Sequence, residues 1–175
     1  MSDPVLAEKT PAESRGELAE LMMPQHANIL GKVFGGTLLA MVDKAAAVAA
    51  IRHAGRTCVT AQIDRVSFHA PIEIGELVRC LSQVNWVGRT SLEVGVKVLS
   101  TSLRTGVTRH TNTCYVTMVA VDDQGQPCPV PPLRPESDEE RRRYERARRR
   151  MEERKETRRR ELEEDAQARA AQPQG

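Results

Sequence analysis

One apolar segment in the N-terminal half constrains the fold of this chain more than any other feature. Residues 37–51 are mostly Leu, Ala, Met and Val, and only Asp43 and Lys44 interrupt them. The alanine content favours an α-helix, and Gly55 is a typical helix stop. Because the segment is too short and too charged to span a membrane, we expect a helix that the rest of the fold surrounds.

After this helix the apolar pattern changes to alternation, which is typical of strands. The alternation begins at Val59 and changes parity between Ile63 and Val66, so we expect a bulge or bend near residues 64–65 of one long strand. Further alternating segments cover residues 78–86, 92–98 and 108–121, and residues 18–23 could add a fifth strand. With one helix there is no βαβ alternation, so the sequence predicts an α+β fold in which about five antiparallel strands wrap the helix.

The C-terminal quarter differs in composition from the rest of the chain. Of the first 133 residues 61 are hydrophobic, against 8 of the last 42, and the +2 net charge arises entirely within those 42. So polar a segment cannot bury a core of its own. We therefore predict a polar N-terminal segment (residues 1–16), one folded domain (17–133) and a charged, partly disordered helical tail (134–175).

The tail is expected to form a helix that lies in solvent. Glu145 and Arg149 have the four-residue spacing that supports an isolated helix. Tyr144 and Met151 are a heptad apart, but the apolar repeat is not sustained, which disfavours a coiled coil. A partner-binding or self-associating helix, and an RNA or membrane contact through its consecutive arginines, are the alternatives.

Composition also limits location, metals and partners. The N-terminus does not resemble a secretory signal, so we expect a cytoplasmic protein. The near-neutral domain disfavours nucleic-acid binding, and we expect no membrane partner. The cysteines and histidines are not spaced as metal ligands, so we expect no metal site. The histidines are His26, His53, His69 and His110. The four cysteines are expected to be reduced, mostly buried thiols: Cys58, Cys80, Cys114 and Cys128.

Asp43 is the candidate catalytic residue that the sequence alone indicates. An ionised carboxylate inside an apolar helix is costly unless it is paired or functional. Burial raises the pKa of a carboxyl group, which suits a general base. A structural carboxylate bonded to a neighbouring strand or subunit is an equally good interpretation.

Phe34-Gly35-Gly36 immediately precedes the helix and supplies a second candidate component. Glycines let a substrate approach the backbone, and the first N–H groups of a helix have no internal partner. Gly36 lies seven residues before Asp43, which is about two helical turns. Its N–H group could therefore donate to a developing oxyanion near the carboxylate.

The segment Met23–Asp43 resembles the signature of hotdog-fold acyl-CoA thioesterases of the YciA and cytosolic acyl-CoA hydrolase type. The matching pattern is a proline, then Asn-x-x-Gly-x-x-Phe-Gly-Gly, then an aspartate inside the helix. Three later segments are also similar to that family: Val66-Ser67-Phe68 with Pro71, Val87-Gly88-Arg89-Thr90-Ser91, and residues 114–122. The resemblance runs from about Leu18 to Leu133 and does not include the tail.

The resemblance implies a hotdog fold and the hydrolysis of acyl-CoA to a free acid and coenzyme A. Family members dimerise by joining two sheets edge to edge and often assemble as trimers of dimers. Their active sites lie at the dimer interface, with the residue matching Asp43 from one subunit and that matching Asn28 from the other. Coenzyme A is part of the substrate and product, and no other cofactor is expected.

Roles for individual residues follow from this resemblance. Asp43 would activate water or attack directly, Gly36 N–H would polarise the carbonyl, and Asn28 would position water or carbonyl unless it is an ordinary loop cap. Thr60 could support the site. Three residues could bind the phosphates of coenzyme A or be simple turn residues: Arg89, Thr90 and Ser91. A non-catalytic acyl-CoA binding module is the main alternative function, and a hotdog dehydratase lacks a suitably placed histidine.

Overall fold

The computed structural model of the chain describes residues 6–68 and 70–170. His69, one of the four histidines considered above, lies outside the described residues. So do residues 1–5 of the predicted N-terminal segment and residues 171–175 of the predicted tail. Three α-helices and five strands follow one another along the described chain, with a short 3-10 helix (Pro24–His26) between β1 and α2: α1 (Pro11–Ser14), β1 (Gly16–Leu21), α2 (Gly35–Ala54), β2 (Cys58–Ile63), β3 (Glu76–Val87), β4 (Ser91–Ser102), β5 (Thr108–Ala120) and α3 (Asp138–Ala170).

The five strands form one antiparallel sheet that curls around α2. Their order is β1-β3-β4-β5-β2, and α2 contacts all five. Ala46 and Ala49 of the helix are fully buried, as are Val94, Val96 and Val116 on the facing side of the sheet. Because alanines bring the helix axis close to the sheet, β-branched valines fill the core without aromatic rings. The predicted α+β hotdog architecture is confirmed.

Local signals set both ends of α2. The helix starts at Gly35, directly after the extended residue Phe34, and ends at Gly55, which adopts a left-handed conformation with φ 68°. Gly55 N–H donates to the Ile51 carbonyl at 2.8 Å, which closes the last turn as predicted. Lys9 Nζ caps the same end by donating to two helix carbonyls at 3.0 and 2.8 Å. None of the helices in the described residues is long and apolar enough to cross a membrane.

The predicted long strand with a bend near residues 64–65 is wrong. β2 ends at Ile63, and its bulge lies earlier, because Thr60 pairs with Met118 while Gln62 pairs with Thr117. The parity change in the sequence therefore marks the end of a strand and not a bend within one. Apolar residues beyond that point belong to a loop, where strand alternation has no meaning.

The C-terminal helix is confirmed, but the expectation that it lies in solvent is wrong for its first half. Ala147 and Met151 are buried on the outer face of the sheet, the face that α2 does not contact. Two arginines on the same side of α3, Arg150 and Arg154, form ion pairs with Glu93, whose side chain has no exposed surface. The helix docks because its arginines meet acidic residues of the sheet.

All four cysteines are free and buried, as expected for reduced thiols. Burial raises the pKa of Cys58 to about 11 and that of Cys80 to about 12. Thiolates are the reactive form of cysteine, so these side chains are chemically quiet and act as small apolar groups.

Candidate active site

The structure joins two of the predicted site residues by a short hydrogen bond. Thr60 Oγ1 donates to Asp43 Oδ1 at 2.5 Å, across the gap between β2 and α2. Thr60 immediately precedes the bulge in β2, and a bulge re-aims the side chains beside it. A hydrogen bond to one carboxylate oxygen fixes the orientation of the group and leaves Oδ2 to accept a further proton or hydrogen bond.

Asp43 is less buried than the sequence suggested. Its side chain is half-buried and its neighbour Lys44 is exposed, because β2 is an edge strand that leaves one side of α2 uncovered. The uncovered surface includes Val48 and Ile51 of the helix and Val59 of the strand, which are 38, 43 and 48% exposed. The full burial that we expected for Asp43 is thus not present within the single chain.

The start of α2 offers backbone donors between two aromatic rings. Phe34 supplies no side-chain cap, and within residues 6–68 and 70–170 the N–H groups of Gly35 and Gly36, the first donors of the helix, have no hydrogen-bond partner. A Cβ atom on Gly36 would lie 2.3 Å from the Phe34 ring, and one on Gly35 would lie 3.4 Å from the Phe68 ring. A side chain at Gly36 would therefore force the Phe34 ring to move from its place over the start of the helix. Both rings are about half exposed.

Asn28 lies in the loop before α2 and acts there as a loop cap. Its Oδ1 accepts the N–H groups of Leu30 at 2.8 Å and Lys32 at 3.2 Å. Lys32 Nζ in turn pairs with Glu73 at 2.7 Å, which pins the loop to the turn before β3. Since Oδ1 is occupied, the Nδ2 amide is the group that Asn28 can offer to another molecule. In the described part of the chain, no hydrogen bond joins Asn28 to Asp43.

Three predicted substrate-binding residues occupy the tight turn between β3 and β4. Ser91 carbonyl accepts Gly88 N–H at 2.7 Å, and the carbonyls of Thr90 and Arg89 accept backbone N–H groups at 2.9 and 3.0 Å. The carbonyls of all three thus have partners, within the turn for Ser91 and in Ala120 and Val130 for the other two, while the Arg89 side chain is exposed. A cavity of about 360 Å³ lies beside Arg89 and reaches Tyr144 of α3.

This turn and the Thr60–Asp43 pair lie at the same end of the sheet. Thr60 is opposite Met118 of β5, and Met118 is opposite Leu92 of β4. Neighbouring strands are about 4.8 Å apart, so the start of β4 is about 10 Å from β2. Among the described residues, no hydrogen bond links the turn to Asp43, and no cluster of three or more His, Cys, Asp or Glu side chains could hold a metal ion.

The sequence analysis missed one buried ionic group on the opposite face of the sheet. Glu93 pairs with Arg150 and Arg154, Arg154 also pairs with Asp64 at 2.7 Å, and Arg150 stacks 3.6 Å from the centre of the Tyr115 ring. Glu93 lies between the apolar residues Leu92 and Val94 of β4, and the two arginines are four residues apart on α3. These two features were the sequence signals that could have indicated an ion pair between β4 and α3.

Comparisons with known proteins agree on one family. Residues 30–107 match the family model of the Thioesterase superfamily. The chain is 40% identical over 128 residues to an uncharacterized acyl-CoA thioester hydrolase, YkhA, of Bacillus subtilis. The matched region covers 73% of this chain and 74% of that protein.

Two solved structures are similar over most of their length. A hexameric acyl-CoA thioesterase has a TM-score of 0.83 and 41% identity, covering 87% of this chain and 97% of that one. An acyl-CoA hydrolase from Staphylococcus aureus, solved with butyryl coenzyme A, coenzyme A and coenzyme A disulfide, has a TM-score of 0.83 and 36% identity, covering 93% and 99%. Variants of the S. aureus enzyme with alanine in place of an asparagine, an aspartate or a threonine have also been solved.

Proposed function

This chain belongs to the thioesterase superfamily, and from that membership we propose that it hydrolyses acyl-CoA thioesters to a free carboxylic acid and coenzyme A. The observation that carries the proposal is the 2.5 Å hydrogen bond from Thr60 to Asp43, which orients a carboxylate on the same helix that begins with the backbone donors of Gly35 and Gly36. The relatives named acyl-CoA hydrolases support the substrate class. A cytoplasmic location is part of this proposal.

In the proposed reaction Asp43 acts as a general base. Its free Oδ2 accepts a proton from a water molecule, and the water oxygen attacks the thioester carbonyl carbon. Gly36 N–H, with Gly35 beside it, donates to the carbonyl oxygen as that oxygen becomes negative. The C–S bond then breaks, and the coenzyme A thiolate leaves and takes up a proton. Direct attack by the Asp43 carboxylate on the carbonyl carbon is the alternative first step.

Thr60 is proposed to position Asp43, without contact with the substrate. Thr60→Val removes the hydroxyl but keeps the side-chain shape, so kcat should fall about tenfold to a hundredfold while KM stays within about twofold. Thr60→Ser keeps the hydroxyl and should retain most of the activity. A larger loss of activity in Thr60→Ser than in Thr60→Val would instead indicate a packing role for the Thr60 methyl group.

We propose that Asn28 of one subunit completes the site around Asp43 of its partner in a dimer, with trimers of dimers as the full assembly. Within one chain the two residues share no hydrogen bond, and β2 has an unpaired edge beside exposed apolar residues. Exposed apolar surface next to a free strand edge is typical of an interface between subunits. The hexameric relative supports an oligomer.

Mixing two inactive variants tests this shared site. A dimer of one Asn28→Ala subunit and one Asp43→Ala subunit has one intact site and one site lacking both groups. Random co-assembly makes half of the dimers mixed, so the mixture should recover about a quarter of wild-type activity. No recovery, with mixed dimers shown by mass spectrometry, would mean that Asn28 and Asp43 act within the same subunit.

Arg89, with Thr90 and Ser91, is proposed to bind the phosphates of coenzyme A. Arg89→Ala should raise KM for acyl-CoA about tenfold, because one charge-assisted hydrogen bond is lost. The same variant should hydrolyse acyl-pantetheine, which lacks the nucleotide, at the wild-type rate. Arg104→Ala, in the exposed turn after β4, is the matched control. A chain that binds acyl-CoA but releases no thiol in these assays would be a binding module instead.

A further inference from the structure

A polar cleft of about 950 Å³ lies between α3 and the outer face of the sheet. Its floor contains Gln83 and Asn85 of β3, which alternate with the core residue Val84 and so face away from α2. Asp43 lies beside β2 at one edge of the sheet, whereas the cleft extends to β1 at the opposite edge and to Arg52 near the end of α2. The cleft is therefore separate from the candidate active site within the chain.

The lining of this cleft is strongly basic. Six cationic residues line it against two acidic ones, Glu17 and Glu139: Arg15, Arg52, Lys97, Arg143, Arg146 and Arg150. Several of the six are partly neutralised, as Arg150 is by Glu93 and Arg143 by Glu139. Lys97 and Arg146 form no ion pair within the part of the chain that the structure describes. Because the chain as a whole carries only +2, this cleft concentrates positive charge and should attract anions.

Neutral hydrogen-bonding groups form the floor beneath these cations. Gln83 Oε1 accepts from Arg15 Nε at 3.0 Å, which leaves the Gln83 amide nitrogen as a donor. Asn85 is only 7% exposed, and its amide lies where a side chain on Gly95 would be, since a Cβ there would lie 2.4 Å from Asn85 Nδ2. Glycine at this strand position thus makes room for a buried amide that faces the cleft.

We propose that this cleft binds a small organic phosphate. Guanidinium groups match phosphate oxygens in pairs, and the two amides can bind the neutral polar part of such a molecule. The volume is that of a small-molecule site, and α3 closes one side, which disfavours a nucleic-acid helix. The phosphates are those of coenzyme A, a case that rests on the proposed function, or those of a separate metabolite.

Calorimetry on the full-length protein tests the proposal with three probes: tripolyphosphate, coenzyme A and a short RNA oligonucleotide. The cleft variant is Lys97→Gln with Arg146→Gln, which removes two cations that form no ion pair among the described residues but keeps long side chains. The matched control is Arg149→Gln with Lys155→Gln, which removes the same charge from exposed positions of α3 outside the cleft. Hydrolysis of acyl-pantetheine is measured in parallel and should be the same in all three proteins.

We expect saturable binding of tripolyphosphate that weakens about tenfold or more in the cleft variant and less than about twofold in the control. A parallel loss of coenzyme A affinity would assign the cleft to the substrate's phosphates, and unchanged coenzyme A affinity would assign it to a separate ligand. The proposal is overturned by absent tripolyphosphate binding with unchanged coenzyme A binding, by equal losses in both variants, or by binding of an RNA oligonucleotide alone.

Discussion

Replacing Glu93 by alanine should destabilise the fold by about 3 kcal/mol. The Glu93 side chain is fully buried between β4 and α3, pairing with Arg150 at 2.6 Å and also with Arg154. Removing one member of a buried ion pair typically costs about 3–5 kcal/mol, because the remaining charges lose their partner. We expect the lower limit, since Arg154 keeps Asp64 and the two arginine side chains are 23 and 14% exposed.

Urea unfolding followed by circular dichroism measures this loss, at one fixed protein concentration because subunit association adds to stability. With a slope of about 2 kcal/mol/M, the midpoint should fall by about 1.5 M. The control is Glu156→Ala, which removes exposed pairs with Arg159 and Arg160 on the same helix and should change stability by less than about 0.5 kcal/mol. If Glu93→Ala changed stability as little as the control, α3 would not be docked on the sheet.

Three further predictions concern other parts of the molecule. Gly36→Ala should lower kcat for acyl-CoA, because the new Cβ would lie 2.3 Å from the Phe34 ring and disturb the start of α2. An unchanged kcat would mean that the Gly36 N–H group takes no part in the reaction. Burial lowers the pKa of His53 below 6.5, so its contribution to stability is present above pH 6.5 and lost as the pH falls through the lower folded value. The urea midpoint should therefore drop less from pH 7 to pH 5 in His53→Gln than in the wild type, and equal drops would contradict this. At pH 8 a disulfide reagent should label native Cys58 and Cys80 at least about a hundredfold more slowly than the urea-unfolded chain, and comparable rates would mean accessible thiolates.

The parts of the fold that local sequence determines were predictable. Alanine content and Gly55 define α2 because both act through neighbouring backbone groups. The alternation of β4 predicts its inward face, since period two is a property of the strand itself. The end of β2 was not predictable, because a parity change looks the same whether a strand bends or stops at Ile63.

Contacts between distant segments account for what the sequence did not predict. Thr60 was considered only as a support, and its bond to Asp43 depends on the pairing of β2 with β5, which places Thr60 opposite the core residue Met118. Glu93 occupies an outward position of a strand, which is normally in solvent, and it is buried only because α3 returns to cover it. The half-buried state of Asp43 likewise follows from β2 lying at the sheet edge, which its own flanking residues do not show.

Thiol release from a panel of acyl-CoA substrates of increasing chain length, with wild type and Asp43→Ala side by side, tests the central claim most directly. Lys44→Ala, an exposed neighbour on the same helix, controls for local damage. The account predicts turnover by the wild type and by Lys44→Ala, and a loss of about a thousandfold in kcat for Asp43→Ala with unchanged thermal stability. Wild-type protein without turnover on any chain length, or Asp43→Ala within about twofold of wild type, would contradict it.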